Sequence, residues 1–168
     1  MFMTYILSAQ RYLEDEGEAQ RLWELYHRYI RDNKATFPPG AFALATSDWY
    51  YGFDDHRAPH DAWLELATFE EVATGERNEV RQLSLKLRLL GAYHDKWIEF
   101  YYPKVFSYTM SSEACALGHD DWLYDEFRLS PEGHLLHEIE WAGKGNSNGS
   151  RWLIEASDVQ FAVRERHA

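Results

Sequence analysis

Leucines alternate with polar residues from Leu83 to Leu89, and this period of two constrains the fold more than any other feature. The leucines at every second position are separated by Ser84, Lys86 and Arg88. Successive side chains of a β-strand point to opposite faces of a sheet. The segment therefore predicts a strand with one dry face and one solvated face, as in an antiparallel sheet.

Comparable patterns predict a β-sheet in most of the chain after Gly40. The aromatic content supports this assignment, because Phe, Trp and Tyr make up 16% of the residues and favour half-buried, pleated surfaces. Pro103 lies inside one predicted strand and cannot donate to its ladder, so a bulge or a sheet edge is expected there. The predicted strands lie near residues 41–51, 62–72, 80–90, 97–110, 122–129, 134–141 and 151–164.

One helix is predicted before the sheet, at about residues 14–32. Asp15 and Glu18 have the spacing of a capping box. The turn at residues 38–40 (Pro-Pro-Gly) ends any continuation. Residues 2–7 fit a short strand or the lead-in to a helix. The apolar residues that recur on one face of the predicted helix are Leu22, Leu25, Tyr26, Tyr29 and Ile30.

Turn chemistry predicts how two pairs of strands align. A four-residue loop at 92–95 joins one pair, and a three-residue loop at 131–133 joins the other, with proline and glycine at suitable turn positions. Both alignments place apolar rows on the same face, as one buried face requires. The predicted cross-strand pairs are Leu89–Ile98, Leu87–Phe100, Leu129–Leu135, Phe127–His137, Asp125–Ile139 and Leu123–Trp141.

A third alignment is predicted across the Gly- and Ser-rich loop at 143–150. If Trp141 pairs with Trp152, then Ala156 lies opposite His137 and leaves space beside the imidazole. Ile154 then lies opposite Ile139. The apolar row changes phase after residue 158, which indicates a bulge.

Together these elements predict one α+β domain that spans residues 1–168. An N-terminal helix packs against an antiparallel meander of six or seven strands, which is either open or curled towards a barrel. A chain of this length is long enough to build one hydrophobic core.

The charge balance bears on the class of partner. Lys and Arg number 17 and Asp and Glu number 28, which gives a net charge of −11. Such a surface repels phosphate backbones, so nucleic acid is not expected as a partner. It would attract a basic protein, although an acidic surface also serves solubility alone.

Targeting features and cysteine content predict a cytoplasmic protein. The apolar start of the chain lacks the basic region of a signal peptide, and no apolar run approaches the length needed to cross a bilayer. Cys115 is the single cysteine, so an internal disulfide is impossible, which suits a reducing compartment. No cofactor-binding motif is present, and no cofactor is expected.

The tetrapeptide His-Asp-x-Trp occurs three times, beginning at His60, His94 and His119. Each copy is followed by Leu or Ile and precedes a predicted strand. Aspartate suits turns and tryptophan suits the first residue of a strand, so the repeat is interpreted as mainly architectural. The alternative is a metal or acid–base site, which requires the three turns to converge.

The loop at residues 54–61 is the densest cluster of potential metal ligands. His56 and His60, with Asp61, would bind a metal if the loop folded back on itself. Pro59 forbids a regular helix through this segment, so the helical frame of many zinc sites is absent. A polar connecting loop is the competing interpretation.

Asp125 and His137 are polar residues on otherwise apolar rows of neighbouring predicted strands. In the predicted alignment they are diagonal neighbours, and a hydrogen bond between them is expected because buried polar groups are paired. The pair is a candidate general base or ligand contact, or else a structural core pair. The residues predicted to line a pocket beside it are Phe127, Ile139, Trp141, Trp152 and Ala156.

These observations favour a binding or accessory protein over an enzyme. The charge, the aromatic surplus and the missing nucleophile, P-loop and Rossmann motifs all point to contact with a basic protein, as in toxin-neutralising or adaptor proteins. Two alternatives remain open. One is a small-ligand or hydrolase-like site at Asp125 and His137, and the other is a metal site at His56 and His60.

Overall fold

A computed structural model describes residues 4–7, 16–145 and 148–167 of the chain. The helices are α1 (Glu16–Asp32) and α2 (Pro39–Ala45). The strands are β1 (Trp63–Thr74), β2 (Val80–Leu90), β3 (Lys96–Tyr102), β4 (Val105–Met110), β5 (Asp121–Leu129), β6 (Leu135–Ala142), β7 (Ser150–Ala156) and β8 (Gln160–Glu165). The architecture is therefore α+β, as predicted.

The eight strands form one antiparallel sheet in the order β4-β7-β6-β5-β1-β2-β3-β8. The runs β1–β2–β3 and β5–β6–β7 are meanders of consecutive strands. Strands β4 and β8 cross to opposite edges, so the sheet does not close into a barrel. Among the described strands, the ladders of the two halves meet at one residue pair, Trp63 of β1 with Asp121 of β5.

The sheet is bent so that its two halves face each other. Phe100 of β3 stacks on Trp122 of β5 with 5.1 Å between ring centroids. The hydroxyl of Tyr102 on β3 lies 2.7 Å from Nδ1 of His137 on β6. The hydrophobic core fills the space between the halves, and burial of these large aromatic side chains stabilises the bend.

Helix α1 lies along the edge of β5. The backbone N–H of Phe127 donates to the hydroxyl of Tyr26 at 2.8 Å, and the N–H of Leu129 donates to the hydroxyl of Tyr29 at 2.8 Å. The carboxylate of Glu126 accepts from the backbone N–H groups of the N-terminal segment, including that of Ile6 at 2.8 Å. The tyrosine hydroxyls therefore accept hydrogen bonds from the β5 backbone that the backbone of a neighbouring strand would otherwise accept.

Helix α2 replaces the strand predicted at 41–51, and that prediction was wrong. Pro39 stands at the start of the helix, where its fixed φ is favourable and its missing N–H costs nothing. The carboxylate of Asp158 accepts from the N–H groups of Gly40 and Ala41 at 2.9 and 3.1 Å. Acidic groups stabilise helix N-termini, so a residue late in the chain helps to form this helix.

Two other predicted strands are divided in the structure. The strand predicted at 97–110 breaks at Pro103 into β3 and β4, which lie in different halves of the sheet. The strand predicted at 151–164 breaks at residues 157–159 into β7 and β8. The other four predicted strands match β1, β2, β5 and β6 to within two residues at each end.

The predicted alignments of two hairpins are confirmed over most of their length. Leu89 lies opposite Ile98 and Leu87 opposite Phe100. In the other hairpin the pairs Leu129–Leu135, Phe127–His137 and Asp125–Ile139 are all present. The predicted Leu123–Trp141 pair was wrong, since a register shift between Trp122 and Tyr124 puts Trp122 opposite Trp141.

The alignment of β6 with β7 differs from the prediction by two residues. Trp141 lies opposite Ser150, and Trp152 lies opposite Ile139. Gly149 has a φ of 84°, and a Cβ there would lie 2.4 Å from the Trp141 carbonyl oxygen. Only glycine fits this close approach, and the shorter loop that it allows sets the register.

The N-terminal helix begins at Glu16 among the described residues, close to the predicted start. Residues 14 and 15, with the proposed capping box at Asp15, lie outside the described residues. Of the segment at 2–7, residues 4–7 are described, and they form no strand. No helix within the described ranges is both long enough and apolar enough to span a membrane.

Candidate functional site

The three His-Asp-x-Trp tetrapeptides converge at one end of the molecule. The N–H of Asp61 donates to the carbonyl of Trp122 at 2.8 Å, and the N–H of Trp122 donates to the carbonyl of Ala62 at 3.0 Å. The first and third copies are thus joined by their backbones. The ring of Trp63 lies 4.5 Å from the ring of His94, which joins the first copy to the second.

Each tetrapeptide leads into a strand, so the architectural interpretation is confirmed. Trp63 opens β1, and Trp97 and Trp122 are the second residues of β3 and β5. Asp61 and His94 have a φ of 60°. This left-handed conformation is one that short polar side chains adopt in turns more readily than other non-glycine residues.

Exposed aromatic rings surround this convergence. The ring of Phe53 stacks on His60 with 4.0 Å between centroids, and His60 lies 5.5 Å from Tyr124. Tyr93 stacks on His56 at 3.8 Å with the rings nearly parallel. We refer to these residues as the aromatic face; its members are Phe53, His56, His60, Trp63, Tyr93, His94 and Tyr124.

Much of the aromatic face is open to solvent. Phe53 is 44% exposed, Trp63 46% and Tyr93 47%, although each makes the ring contact described above. Large apolar groups of this kind are usually buried, and a group of them on one surface marks a contact site more often than a chance arrangement.

Carboxylates border the aromatic face. Asp55 forms an ion pair with Arg57, and this hydrogen-bonded guanidinium lowers the pKa of Asp55 to about 2. The hydrogen bond from His56 lowers the pKa of Asp95 in the same direction. Both groups are therefore ionised at neutral pH.

Two further carboxylates on this border have little positive charge near them to neutralise theirs. Asp54 makes no ion pair with any residue in the described part of the chain, and Asp61 reaches only His60, at 3.6 Å. Both residues are exposed. The ammonium of Lys144 lies 5.5 Å from the ring centroid of Trp63 and is paired with Asp121 at 2.7 Å.

The residues predicted as metal ligands are not brought together. Nδ1 of His56 lies 2.7 Å from the carboxylate of Asp95. Nδ1 of His60 lies 2.6 Å from the carbonyl oxygen of Leu123, which can only accept, so the imidazole donates. Across residues 4–7, 16–145 and 148–167, no three His, Cys, Asp or Glu side chains are grouped as a metal ion would require.

The predicted hydrogen bond between Asp125 and His137 is present. Nε2 of His137 lies 2.8 Å from Oδ2 of Asp125. The carboxylate also accepts from the hydroxyl of Tyr50 at 2.7 Å and from the indole of Trp122 at 3.1 Å. The Tyr102 hydroxyl occupies the other imidazole nitrogen. Since the carboxylate can only accept, Nε2 carries a proton and donates to Asp125.

This network is wholly enclosed. The side chains of His137, Tyr50 and Tyr102 are all buried. Burial raises the pKa of each tyrosine well above the ordinary tyrosine value of 10.0. Both imidazole nitrogens and both carboxylate oxygens have partners within the protein. The arrangement satisfies polar groups in a dry core and holds the two halves of the sheet together.

The small side chain predicted to leave space beside His137 lies elsewhere. The predicted lining residues are buried members of the hydrophobic core, namely Phe127, Ile139, Trp141, Trp152 and Ala156. The cause is the register of β7: Ile154, rather than Ala156, lies opposite His137. The small side chain expected to leave room therefore lies two residues away, opposite Leu135.

Several residues that matter here were not singled out by the sequence. Phe53 and Tyr93 carry no motif and were not identified as site residues. Tyr50 and Tyr102 were noted only as members of aromatic runs, and their link to Asp125 and His137 depends on contacts 75 and 35 residues apart. A signal for the aromatic face did exist, because the first two tetrapeptides contain His60, Trp63 and His94, and Tyr124 lies two residues after the third.

Comparisons of the chain with protein-family models, with curated proteins and with solved structures found no match. Function is therefore inferred from the residues and their geometry.

Proposed function

We propose that this protein is a binding or accessory protein that contacts a basic protein partner through the aromatic face. The observation that supports this most directly is the convergence of the three tetrapeptides. It places the exposed rings of Phe53, Trp63 and Tyr93 around one loop, beside the weakly compensated carboxylates of Asp54 and Asp61.

The stacked rings favour binding because they are already ordered. Phe53 rests on His60 and Tyr93 rests on His56, so each exposed ring has its orientation set before a partner arrives. Side chains that are held in place lose little conformational entropy on binding. Aromatic residues are also the side chains most enriched at the centres of protein interfaces.

Charge supports a basic partner rather than an acidic one. The chain carries a net charge of −11, so its long-range field attracts positively charged surfaces and repels nucleic acid. A lysine or arginine of the partner would find Asp54 and Asp61 next to aromatic rings that also attract cations. The partner class is thus a basic protein, as in adaptor or toxin-neutralising complexes. A cytoplasmic location accords with the exposed, unpaired Cys115.

The alternative sites have less support. A small-ligand or hydrolase-like role for Asp125 and His137 needs the enclosed core to open and at least one of four internal hydrogen bonds to break. A metal site at His56 and His60 lacks a third ligand, because no three His, Cys, Asp or Glu side chains are grouped among the described residues. The aromatic face needs no rearrangement.

The decisive experiment compares the partners of two surface variants. The double variant Phe53→Ser/Trp63→Ser removes two rings of the aromatic face, whereas Val80→Ser/Leu117→Ser removes two apolar side chains that are more exposed and lie outside that face. Each protein is used as bait in extracts of the native host at about 0.05 M and about 0.5 M salt, since ionic attraction is screened over a few ångströms at the higher value.

We expect the wild-type protein and the control variant to retain the same basic proteins at low salt and to lose them at high salt. The aromatic-face variant should lose them at both. A purified partner should then bind at least tenfold more weakly to the aromatic-face variant in calorimetry. Retention of the same partners by Phe53→Ser/Trp63→Ser, or partners that are not basic, would refute the proposal.

A further inference from the structure

Strand β1 has one backbone edge without a partner. Its other edge pairs with β2 along the whole hairpin, but on the open side only Trp63 is paired, with Asp121 of β5. Residues 65–73 are all exposed, and no described strand pairs with this edge beyond Trp63. The ring of Phe69 contacts that of Tyr108 on β4, with 4.4 Å between centroids. A long unpaired edge presents backbone donors and acceptors to any strand that approaches.

The exposed edge carries three large apolar side chains among its three glutamates. Leu66 is 39% exposed, Phe69 38% and Val72 41%. Natural proteins commonly protect edge strands with charged side chains, prolines or short length. At 12 residues β1 is the longest described strand, and it contains no proline or lysine.

We propose that β1 pairs with β1 of a second copy of this chain, antiparallel and about a twofold axis at Phe69. The two sheets would then continue through the dimer as one. Such a contact uses the same patch on both copies, which is the usual form of a homodimer interface. It uses residues 65–73, which follow Trp63 of the aromatic face, and it does not depend on the function proposed for that face.

The side chains fit this register. With the axis at Phe69, Leu66 of each copy lies opposite Val72 of the other, and the two Phe69 side chains lie across the axis. Residues directly opposite in an antiparallel pair share a face, so these apolar contacts form without any change in the strand.

The acidic residues select the same register. With the axis at Phe69, Glu70 lies opposite Thr68 and Glu71 opposite Ala67. An axis at Thr68 would put Glu65 opposite Glu71, and an axis at either of the adjacent glutamates would put that residue opposite itself. Like charges directly opposite are destabilising, so the Phe69 register is favoured among those that use the full edge.

Charge also favours a second copy over a basic strand. Within the hairpin, Glu71 is paired with Arg81, and Glu65 is paired with Arg88 at 3.1 Å. The two strands are therefore electrically neutral although the chain carries −11, and two copies can approach here without local repulsion. The three acidic residues of β1 and the three basic residues of β2 are Glu65, Glu70, Glu71, Arg81, Lys86 and Arg88.

Sedimentation equilibrium on the full chain tests the dimer. We expect wild-type protein to sediment at twice the chain mass of 19.8 kDa when its concentration is raised towards about 0.5 mM. In Leu66→Lys/Val72→Lys, lysines would lie opposite each other at two places, and the dimer dissociation constant should rise more than about 100-fold. In Leu66→Lys/Val72→Glu, opposite charges would meet instead, and dimerisation should return to within about tenfold of wild type.

Two further measurements keep the test specific. The control Tyr101→Lys/Leu117→Lys places the same charge on exposed sites away from the edge and should dimerise like the wild type. In a Cys115→Ser background, Phe69→Cys should be cross-linked between copies by a short thiol-reactive reagent, whereas Val80→Cys should not. A wild-type chain that stays monomeric at about 0.5 mM, or a dimer unaffected by Leu66→Lys/Val72→Lys, would overturn the proposal.

Discussion

Strands β1 and β5 meet at Trp63 and Asp121 and then diverge, and their exposed backbone edges differ in what covers them. The edge of β5 receives the hydroxyls of Tyr26 and Tyr29 from helix α1. The edge of β1 pairs with no described strand over positions 65–73. One sheet therefore contains an edge closed by side chains and an edge left open.

The comparison shows that a helix can close a sheet edge without adding a strand. A tyrosine hydroxyl both donates and accepts, so Tyr26 satisfies the N–H and the carbonyl of Phe127 together. Closing an edge in this way buries polar groups, and each of them is destabilising unless it has a hydrogen-bond partner. The open edge of β1 needs no buried partners, and its backbone groups can pair with a strand of another chain.

The largest expected effect is at Glu126, which ties the N-terminal segment to the closed edge. Its buried carboxylate accepts from the N–H groups of Tyr5 and Ile6 and forms an ion pair with Arg128. Glu126→Ala leaves these donors without that acceptor, and we expect a loss of about 3 kcal/mol in the free energy of unfolding. Urea denaturation measures it. Glu132→Ala, an exposed control, should change stability by no more than about 0.5 kcal/mol.

A smaller effect is expected at Tyr26, where one hydroxyl is removed from the closed edge. Tyr26→Phe keeps the ring in the core but leaves the buried N–H of Phe127 without its acceptor. The expected loss of unfolding free energy is about 2 kcal/mol. Tyr101→Phe removes a hydroxyl from an exposed tyrosine and is the matched control. Equal stability of the two variants would show that the hydroxyl does not close the edge.

The closed edge should also give a pH-dependent difference. Burial raises the pKa of Glu126 above its ordinary value of 4.5, against the opposing influence of Arg128. The folded state then holds this proton more tightly than the unfolded chain does. Its contribution is complete below about 4.5 and declines as the pH rises through the raised value.

Glu126→Gln cannot titrate and isolates this contribution. We expect the stability of the wild type relative to Glu126→Gln to fall as the pH rises from 4.5. Chemical denaturation at several pH values measures the difference. A relative stability that rises over this range would contradict the assigned direction of the pKa shift.

The smallest effect is expected on the open edge. Leu66→Lys places a charge on an exposed side chain that faces solvent, so the unfolding free energy of the monomer should change by no more than about 0.5 kcal/mol. Thermal unfolding, at a concentration where sedimentation shows only monomer, measures this. A loss comparable to that of Tyr26→Phe would mean that the edge is covered within the monomer, and the contrast between the edges would disappear.

The sequence predicted those parts of the fold that depend on short-range patterns. Strand β2 follows from its alternating leucines, and the Phe127–His137 alignment follows from a three-residue turn. Helix α2 was missed because the carboxylate of Asp158, which stabilises its start, lies 118 residues away from Gly40. A local signal was present, since Pro39 is followed by alanines at alternate positions, which favour a helix.

The candidate sites were predicted in part for the same reason. Asp125 and His137 lie on one hairpin, so the turn length and the alternation of side chains between the two faces were enough to predict that they are neighbours. Tyr50 and Tyr102 complete the network from other elements, and no local pattern specifies that arrangement. The β6–β7 alignment was predicted wrongly because it depends on the close approach of Gly149 to Trp141, which the loop composition does not reveal.

Convergence of the His-Asp-x-Trp copies could not be predicted from the chain. Their turns would be scattered along a simple meander. The first and third copies meet because the starts of β1 and β5, which are far apart in sequence, pair over a few residues. A contact this limited leaves no periodic trace in the sequence, although it determines which aromatic rings share a surface.

The crossing of β4 to the far edge has a consequence for biosynthesis. Among the described strands β4 pairs with β7 alone, and the residues of β7 emerge from the ribosome only after β5 and β6. Until then, the nascent chain carries an unmatched segment that includes Phe106 and Tyr108. Late partners of this kind lengthen the interval in which misassembly competes with folding. Ribosome-bound chains halted before Ser150 should therefore recruit chaperones more strongly than chains released beyond Glu165.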